Sequence, residues 1–233
     1  MDKILMYHAI GEQGVDETGA GRYTVSREAF RRQMEYLSLH RDKDFLITFD
    51  DGHLSNYQYA YPVLKELGLR AYFFVIVSRI GRPGFMDWDH LRELDQQGMI
   101  IGSHGMTHRI LTELDEQQLD YELSASKSFL QKRLGQWIDF LSIPRGAYNQ
   151  RVIDQAARAD YKVIFTSNLI SSRDNFALGR IPIKRDWSQE YFIDVLEHGL
   201  SFNDRCKELV KDWAKKMLGM SNYDMLRTAI LKQ

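Results

Sequence analysis

Two adjacent carboxylates stand at the end of a hydrophobic segment, in the sequence Thr48-Phe49-Asp50-Asp51-Gly52. Neighbouring side chains on an extended chain point to opposite sides, so the two carboxylates rarely share one role. Where the chain turns at Gly52, one carboxylate can bind a metal ion while the other holds a water molecule beside it. A solvated Asp-Asp-Gly turn without a function is the alternative interpretation of these five residues alone.

A second cluster contains two histidines four residues apart, His104 and His108. On a helical turn, residues at this spacing point the same way, so both imidazoles can reach one metal ion. The zinc-protease pattern is excluded because Gly105 stands where its glutamate base would be. A surface loop with two unrelated histidines is the alternative, because short His-x-x-x-His matches are common.

A third cluster, residues 142–149, contains Pro144 and Gly146, which shape a loop whose backbone N–H groups can face a site. Taken alone, it is an ordinary connecting turn. Taken together, the clusters offer two histidines and a carboxylate with open coordination positions, a set that suits zinc or iron(II). The second carboxylate of the Asp-Asp pair is then a base beside the metal-bound water.

The clusters follow short hydrophobic segments that predict parallel strands, because several segments are continuously apolar rather than alternating. The predicted strands are Lys3–His8, Phe45–Phe49, Ala71–Val77, Met99–Ser103, Ile138–Ser142, Lys162–Thr166 and Arg180–Ile183. Helical patterns lie between them, with Ser26, Asp87 and Asp115 as predicted N-terminal caps. No glycine-rich phosphate turn follows the first strand, so about seven β/α units favour a barrel over an open sheet. A barrel places its site at the carboxyl ends of the strands, where the clusters lie.

The composition excludes several classes of protein. The chain has 233 residues with 31 basic and 32 acidic side chains, and this balance argues against general nucleic-acid binding. Its single cysteine, Cys206, excludes an internal disulfide and a cysteine-rich metal site. The longest apolar run, Ala71–Val77, is far shorter than the roughly 20 residues of a membrane span.

The amino-terminal residues contain no apolar run of signal-peptide length. If the chain is whole, we expect it in the cytoplasm; a trimmed exported precursor is the alternative. Residues 1–202 are predicted to form the barrel. Residues 203–233 are predicted to form two helices, broken around Gly219, that pack onto it.

The order of the motifs resembles that of the polysaccharide deacetylase family, the NodB homology domain of carbohydrate esterase family 4. The resemblance runs over about residues 3–195 and rests on Tyr7-His8, the segment 48–52, His104 with His108, and the loop 144–149. It implies an α/β fold, a distorted (β/α)₇ barrel. It also implies a metal-dependent hydrolase that removes N-acetyl groups from glycans, or glycan precursors, that contain N-acetylhexosamine.

The resemblance also implies the metal site and its base. Asp50 corresponds to the general base, and Asp51, His104 and His108 correspond to the ligands of a divalent metal ion. Zinc is the expected ion, with cobalt, nickel or iron as alternatives.

Further positions are implied around the substrate. The backbone N–H of Arg145 would face the oxyanion, Pro144 and Tyr148 would line the substrate groove, and His8 would line the site. A buried histidine with its hydrogen bonds satisfied is the alternative interpretation of His8. The expected partner is an N-acetylated sugar or glycan.

The sequence departs from the family pattern in two places. Many members have an arginine at the position of Ser142, a replacement typical of the poly-N-acetylglucosamine (adhesin) deacetylase branch. Because a base beside a metal must stay ionised, we predict that another cation replaces this arginine. Arg180 is the first candidate and Arg145 the second. For Arg180, a surface ion pair with an acid such as Asp174 is the alternative.

The late Leu-His motif that supplies a general acid has no clear match. His198 is interpreted as an ordinary residue at a helix end, and the general acid is unassigned. Two other functions are alternatives, the first because the general acid and the usual arginine are missing, and the second because it too uses two histidines and a carboxylate. One is a catalytically impaired, carbohydrate-binding relic of the same fold. The other is an iron(II) oxygenase, although its usual His-x-Asp element is absent from the sequence.

Overall fold

The structure is a computed structural model, and it describes residues 3–11, 20–169, 171–172, 176–219, 222 and 225. Eight strands form one sheet in which every pair of neighbours is parallel, in the order β7-β6-β5-β4-β3-β2-β1-β8. The strands are β1 Lys3–Tyr7, β2 Phe45–Phe49, β3 Tyr72–Val75, β4 Ile100–Ser103, β5 Phe140–Ser142, β6 Val163–Phe165, β7 Ala177–Leu178 and β8 Ile181–Pro182.

The two edges of this sheet meet. Only Gly179 and Arg180 separate β7 from β8, so one short run of chain pairs with β6 at its beginning and with β1 at its end. This run closes the sheet into a ring, and it acts as the seventh strand of a distorted (β/α)₇ barrel. The predicted fold class is confirmed. Strand β7, which is only two residues long, was not among the strands predicted from the sequence.

Helices cover the outside of the barrel. They are α1 Arg27–Leu39, α2 Tyr61–Glu66, α3 Trp88–Gln96, α4 Glu116–Asp120, α5 Ser126–Leu134, α6 Gln150–Arg158, α7 Gln189–His198 and α8 Phe202–Leu218. Segments with π-helical hydrogen bonding, Asn56–Ala60 and Tyr121–Ala125, lead into α2 and join α4 to α5. Single 3₁₀ turns are Gly21–Tyr23, Val77–Arg79, Leu111–Glu113 and Pro144–Gly146.

The predicted helix starts are confirmed. The side chain of Ser26 accepts a hydrogen bond from the Ala29 amide, which satisfies one of the free N–H groups at the start of α1. Asp87 and Asp115 each form a reciprocal capping box at the starts of α3 and α4.

Both faces of the strands are buried, which explains their continuous apolar sequences. Leu5 and Tyr7 of β1 pack in the large core beneath the helices. Ile4, which points the other way, packs inside the barrel against Phe74 and Phe165. The inside of the barrel is therefore a packed core, and only its rim can hold a site.

Helix α8 contacts the barrel through polar groups. Lys184, just after β8, forms an ion pair with Glu208 at 2.9 Å, and the Tyr191 hydroxyl donates to Asp204 at 2.5 Å. Of the predicted second terminal helix, only positions 222 and 225 lie within the described residues. No helix in the described part of the chain has both the length and the apolar character needed to cross a membrane.

Candidate active site

The two adjacent carboxylates leave β2 in different directions. The Asp50 amide still donates to Tyr7 O, as a strand residue would, but Asp51 and Gly52 both have left-handed backbones, with φ of 72° and 78°. A side chain at Gly52 would place its Cβ 3.1 Å from Val75 Cγ1, so a larger residue is doubly disfavoured there. The sharp turn gives each carboxylate its own surroundings.

Asp51 lies between the two predicted histidine ligands. Its Oδ1 atom is 3.5 Å from His104 Nε2 and 3.4 Å from His108 Nε2. One ligand atom from each residue lies within 4.8 Å of the other two. Asp51 Oδ1 is buried and has no hydrogen-bond partner among the described residues. One oxygen and two nitrogen atoms therefore converge on a point where a single ion can bind.

Neighbouring groups orient these ligands. His104 Nδ1 lies 2.8 Å from the Ser142 carbonyl oxygen, which directs its Nε2 toward Asp51. His53 Nε2 lies 3.3 Å from the other carboxylate oxygen, Asp51 Oδ2, and leaves Oδ1 to the histidine pair. Such outer contacts are typical of metal sites. His53 was not among the predicted site residues, although its place directly after the Asp-Asp-Gly turn was an available signal.

The path between the two histidines differs from the prediction. The expected helical turn is wrong, because residues 104–110 form an irregular loop. Gly105 and His108 have φ of 79° and 67°, and these two left-handed residues reverse the chain so that both imidazoles face Asp51. A non-glycine residue in this conformation is held by its surroundings.

The charge states of this set suit a divalent cation. Burial, assisted by the nearby His104, lowers the pKa of His108 to about 3, so its imidazole is neutral and has a free lone pair. Burial acts to raise the pKa of Asp51, but His53 and the other nearby histidines hold it well below its ordinary value. Neutral imidazoles and an ionised carboxylate are the donors that zinc and related ions bind. The residues therefore fit such an ion.

Arg180 is the cation that contacts Asp50. Its Nη1 and Nη2 atoms donate to the two Asp50 oxygens at 2.8 and 2.7 Å, and the Arg180 residue is only 1% exposed. The remaining N–H groups bond to the Thr48 hydroxyl, the Ser142 hydroxyl and the Thr166 carbonyl. All five donors of the guanidinium are thus used.

This contact controls the charge on Asp50. Burial acts to raise the pKa of Asp50, but the Arg180 guanidinium, with help from His104, lowers it to about 2. Asp50 is therefore ionised at any ordinary pH. Asp174, the alternative partner considered for Arg180, lies outside the described residues.

The loop after β5 lies near the histidine pair, and the charge of Arg145 acts on His108. Arg145 is exposed and left-handed, with φ of 58°. Pro144 is buried, and the partly buried Tyr148 accepts a hydrogen bond from Asn168 at 3.3 Å. The Arg145 residue is thus exposed, whereas Arg180 is buried beside Asp50.

His8 follows β1 where Asp50 follows β2, because Tyr7 and Phe49 are paired in the sheet. Its half-buried ring stacks on Tyr23 at 4.9 Å, and its Nδ1 atom has no partner among the described residues. The described residues thus offer this nitrogen no hydrogen bond, which favours the interpretation of His8 as a residue that lines the site. Burial lowers its pKa, while the charges of Asp51 and Asp50 oppose that effect.

His198 is exposed at the end of α7, where it pairs with Asp194 at 2.9 Å. This arrangement is that of an ordinary residue at a helix end, as the sequence predicted.

A closed parallel barrel, with a carboxylate and two histidines at its rim beside a second, arginine-paired carboxylate, defines the class of protein. It is a β/α-barrel protein with a candidate metal centre of the hydrolase type.

Comparison with known proteins gives the family. The family model for polysaccharide deacetylase matches residues 39–164. The chain is 31% identical to "Putative polysaccharide deacetylase YxkH" of Bacillus subtilis, in a match that covers 83% of this chain and 75% of that protein. The chain belongs to the polysaccharide deacetylase family, as the resemblance implied, and this places it among the carbohydrate N-deacetylases.

Two further relatives bear on the fold and on the substrate. The solved Streptococcus pyogenes deacetylase PplD, in complex with acetate, is 28% identical, with a TM-score of 0.75, and the match covers 82% of this chain and 96% of that one. A poly-beta-1,6-N-acetyl-D-glucosamine N-deacetylase of Staphylococcus aureus is 24% identical, in a match that covers 82% of this chain and 72% of that protein.

Proposed function

We propose that this chain is a metal-dependent hydrolase that removes N-acetyl groups from N-acetylhexosamine-containing glycans or their precursors. One observation carries the proposal. The ionised, arginine-paired Asp50 directly precedes Asp51, and Asp51 converges with His104 and His108 on one point. A base and a metal centre are thus held side by side at the barrel rim, in a chain of the deacetylase family.

Asp51, His104 and His108 would hold the divalent ion. When bound, such an ion polarises the acetamide carbonyl and makes a nearby water more acidic. Asp50 accepts the proton of the attacking water, and Arg180 holds it in the required orientation and charge state. The Arg145 amide donates to the oxygen that becomes negative as the carbonyl carbon turns tetrahedral.

We propose that His8 lines the substrate site beside Asp50, and that Asp50 passes the proton it has accepted to the leaving amine. The position of His8 beside Asp50 and its unpartnered Nδ1 support this placement of His8. Breaking the C–N bond then releases acetate and a free amino sugar. Pro144 and Tyr148 are proposed to line the groove that binds the glycan.

We expect His8→Gln to keep the metal and to raise KM more than it lowers kcat, because His8 lines the substrate site and neither binds the metal nor transfers the proton. The measurement is acetate release by protein fully loaded with metal. A loss of about 10²-fold or more in kcat at unchanged KM would mean that His8, and not Asp50, protonates the amine.

Arg180→Met is expected to shift the acidic limb of the pH–rate profile upward. Burial, now unopposed by the guanidinium, raises the pKa of Asp50, so the base is lost at a higher pH than in the unaltered protein. Removal of an opposite charge at contact distance is worth about 1–3 pH units. Arg180→Lys should shift the limb less, and Arg145→Met, which alters an exposed cation, should leave it in place. An unmoved limb in Arg180→Met would contradict this role.

The function itself is tested by acetate release from N-acetylglucosamine oligomers, with metal content measured in parallel. We expect release that stops after chelation and returns with added zinc. A carbohydrate-binding relic would bind the oligomers with no acetate release at any metal content. An iron(II) oxygenase would consume oxygen instead.

A further inference from the structure

Glu122 lies buried against the loop that joins the two histidines of the candidate metal centre. The Thr107 amide donates to Glu122 Oε2 at 2.9 Å, and the Thr107 hydroxyl donates to the other oxygen, Oε1. Only 1% of Glu122 is exposed, whereas Thr107 itself is exposed. The buried carboxylate therefore fixes the position of Thr107, the residue that directly precedes His108.

The loop is shaped around this carboxylate. A Cβ atom at Gly105 would lie 2.9 Å from Glu122 Oε2, so the loop passes where only glycine fits. The Gly105 amide also donates to Ser103 Oγ at 3.1 Å, and that hydroxyl lies 2.9 Å from Ser126 Oγ. The start of the loop is thus hydrogen-bonded to the beginning of α5, which directly follows the π-helical segment that carries Glu122.

The position of Glu122 depends on the π-helical segment Tyr121–Ala125. Such a segment adds a residue to a helical turn, shifts the face that its side chains present, and is frequent at functional sites. Here Tyr121 is 54% exposed while the adjacent Glu122 is fully inside. The described residues place no lysine, arginine or histidine within ion-pair distance of this carboxylate. Its contacts with Thr107 are therefore its main interactions.

We propose that Glu122 is a positioning residue of the metal centre. It fixes Thr107, and through Thr107 it holds His108 in its left-handed conformation with Nε2 facing Asp51. The left-handed backbone costs free energy that the surrounding contacts must supply. This inference rests on the proposed metal site, and it concerns the loop rather than the ligands.

The test is the dissociation constant for zinc, measured by competition with a chromophoric chelator, in the full chain and its variants. We expect Glu122→Ala to bind zinc about 10–100-fold more weakly, the usual cost of losing an outer contact of a metal ligand. Glu122→Gln should stay close to the unaltered protein, because its oxygen accepts from the Thr107 amide and its NH₂ donates to the Thr107 hydroxyl.

Leu119→Ala is the control for a merely structural role. Leu119 is buried one turn before Glu122 and its apolar side chain cannot hydrogen-bond to the loop, so its truncation should lower the melting temperature and leave zinc affinity unchanged. If Glu122→Ala fails to fold, Thr107→Val serves instead, since it removes one of the two hydrogen bonds at an exposed position. Thr107→Val should also weaken zinc binding, but by a smaller factor than Glu122→Ala.

Unchanged zinc affinity in Glu122→Ala, or equal losses in the Gln and Ala variants, would overturn the proposal. So would unchanged affinity in Thr107→Val, if that variant has to be used. The His108→Ala variant separates this failure from that of the proposed function. If His108→Ala keeps its zinc, the metal site itself is wrong; if it loses zinc while Glu122→Ala does not, only the role of Glu122 is wrong.

Discussion

Replacing either histidine of the candidate metal centre, by His104→Ala or His108→Ala, is expected to abolish metal binding and acetate release together. Each change removes one of the three ligand atoms that converge among the described residues, and the polarised carbonyl and the acidic water depend on the ion. Metal content and a zinc titration measure the first loss, and acetate release measures the second. Circular dichroism checks that the barrel persists.

The matched control is His198→Ala, which removes an exposed histidine that pairs with Asp194. It should retain its metal, its activity and its fold. Stoichiometric metal at full affinity in both His104→Ala and His108→Ala would remove the site assignment. A loss of fold in step with the loss of metal would mean that these histidines are structural.

Asp50→Asn is expected to keep the metal and to lose about 10²–10⁴-fold or more in kcat, because the amide cannot take a proton from water. Asparagine has nearly the same shape, and its oxygen can still accept a hydrogen bond from Arg180. The loss should therefore reflect the missing base rather than a disturbed site. The measurement is kcat at saturating metal, with metal content determined on the same sample.

Asp51→Asn provides the opposite pattern and is the control for this prediction. It alters the neighbouring carboxylate, whose Oδ1 faces both histidines, so it should weaken metal binding first. If Asp50→Asn loses its metal and Asp51→Asn keeps it, the roles of the two carboxylates are exchanged. If Asp50→Asn keeps full activity, Asp50 is not the base.

Short-range sequence patterns, namely apolar runs and capping residues, determined the strands and the helix starts. Residues 45–49 form a strand as predicted, and Ser26 and Asp115 cap helices, because these features depend on a few neighbouring residues. The convergence of Asp51 with His104 was predictable for a related reason. Both follow parallel strands, whose carboxyl ends meet at the same rim of the barrel.

Short-range sequence patterns gave a wrong prediction for the loop between the histidines. The four-residue spacing from His104 to His108 predicted a helical turn, but the chain there follows contacts with Glu122, which lies 14 residues beyond His108. The hydrogen bonds from a loop to a buried carboxylate fix the backbone of that loop, even where the spacing of its residues predicts a helical turn. Nothing close to His108 in the sequence indicated that partner.

Only the tertiary structure decided which cation serves Asp50. The sequence showed that Ser142 lacks the usual charge, and the family resemblance put Arg180 before Arg145, but 130 residues separate Arg180 from Asp50. The short run from β7 to β8 closes the barrel and carries Arg180 into its interior, where Asp50 is its charged partner. Ring closure is a property of the whole sheet, whereas the types and local spacing of the site residues are properties of the sequence. The sequence therefore determined which chemistry was available, and the closed barrel decided which distant groups contact one another to perform it.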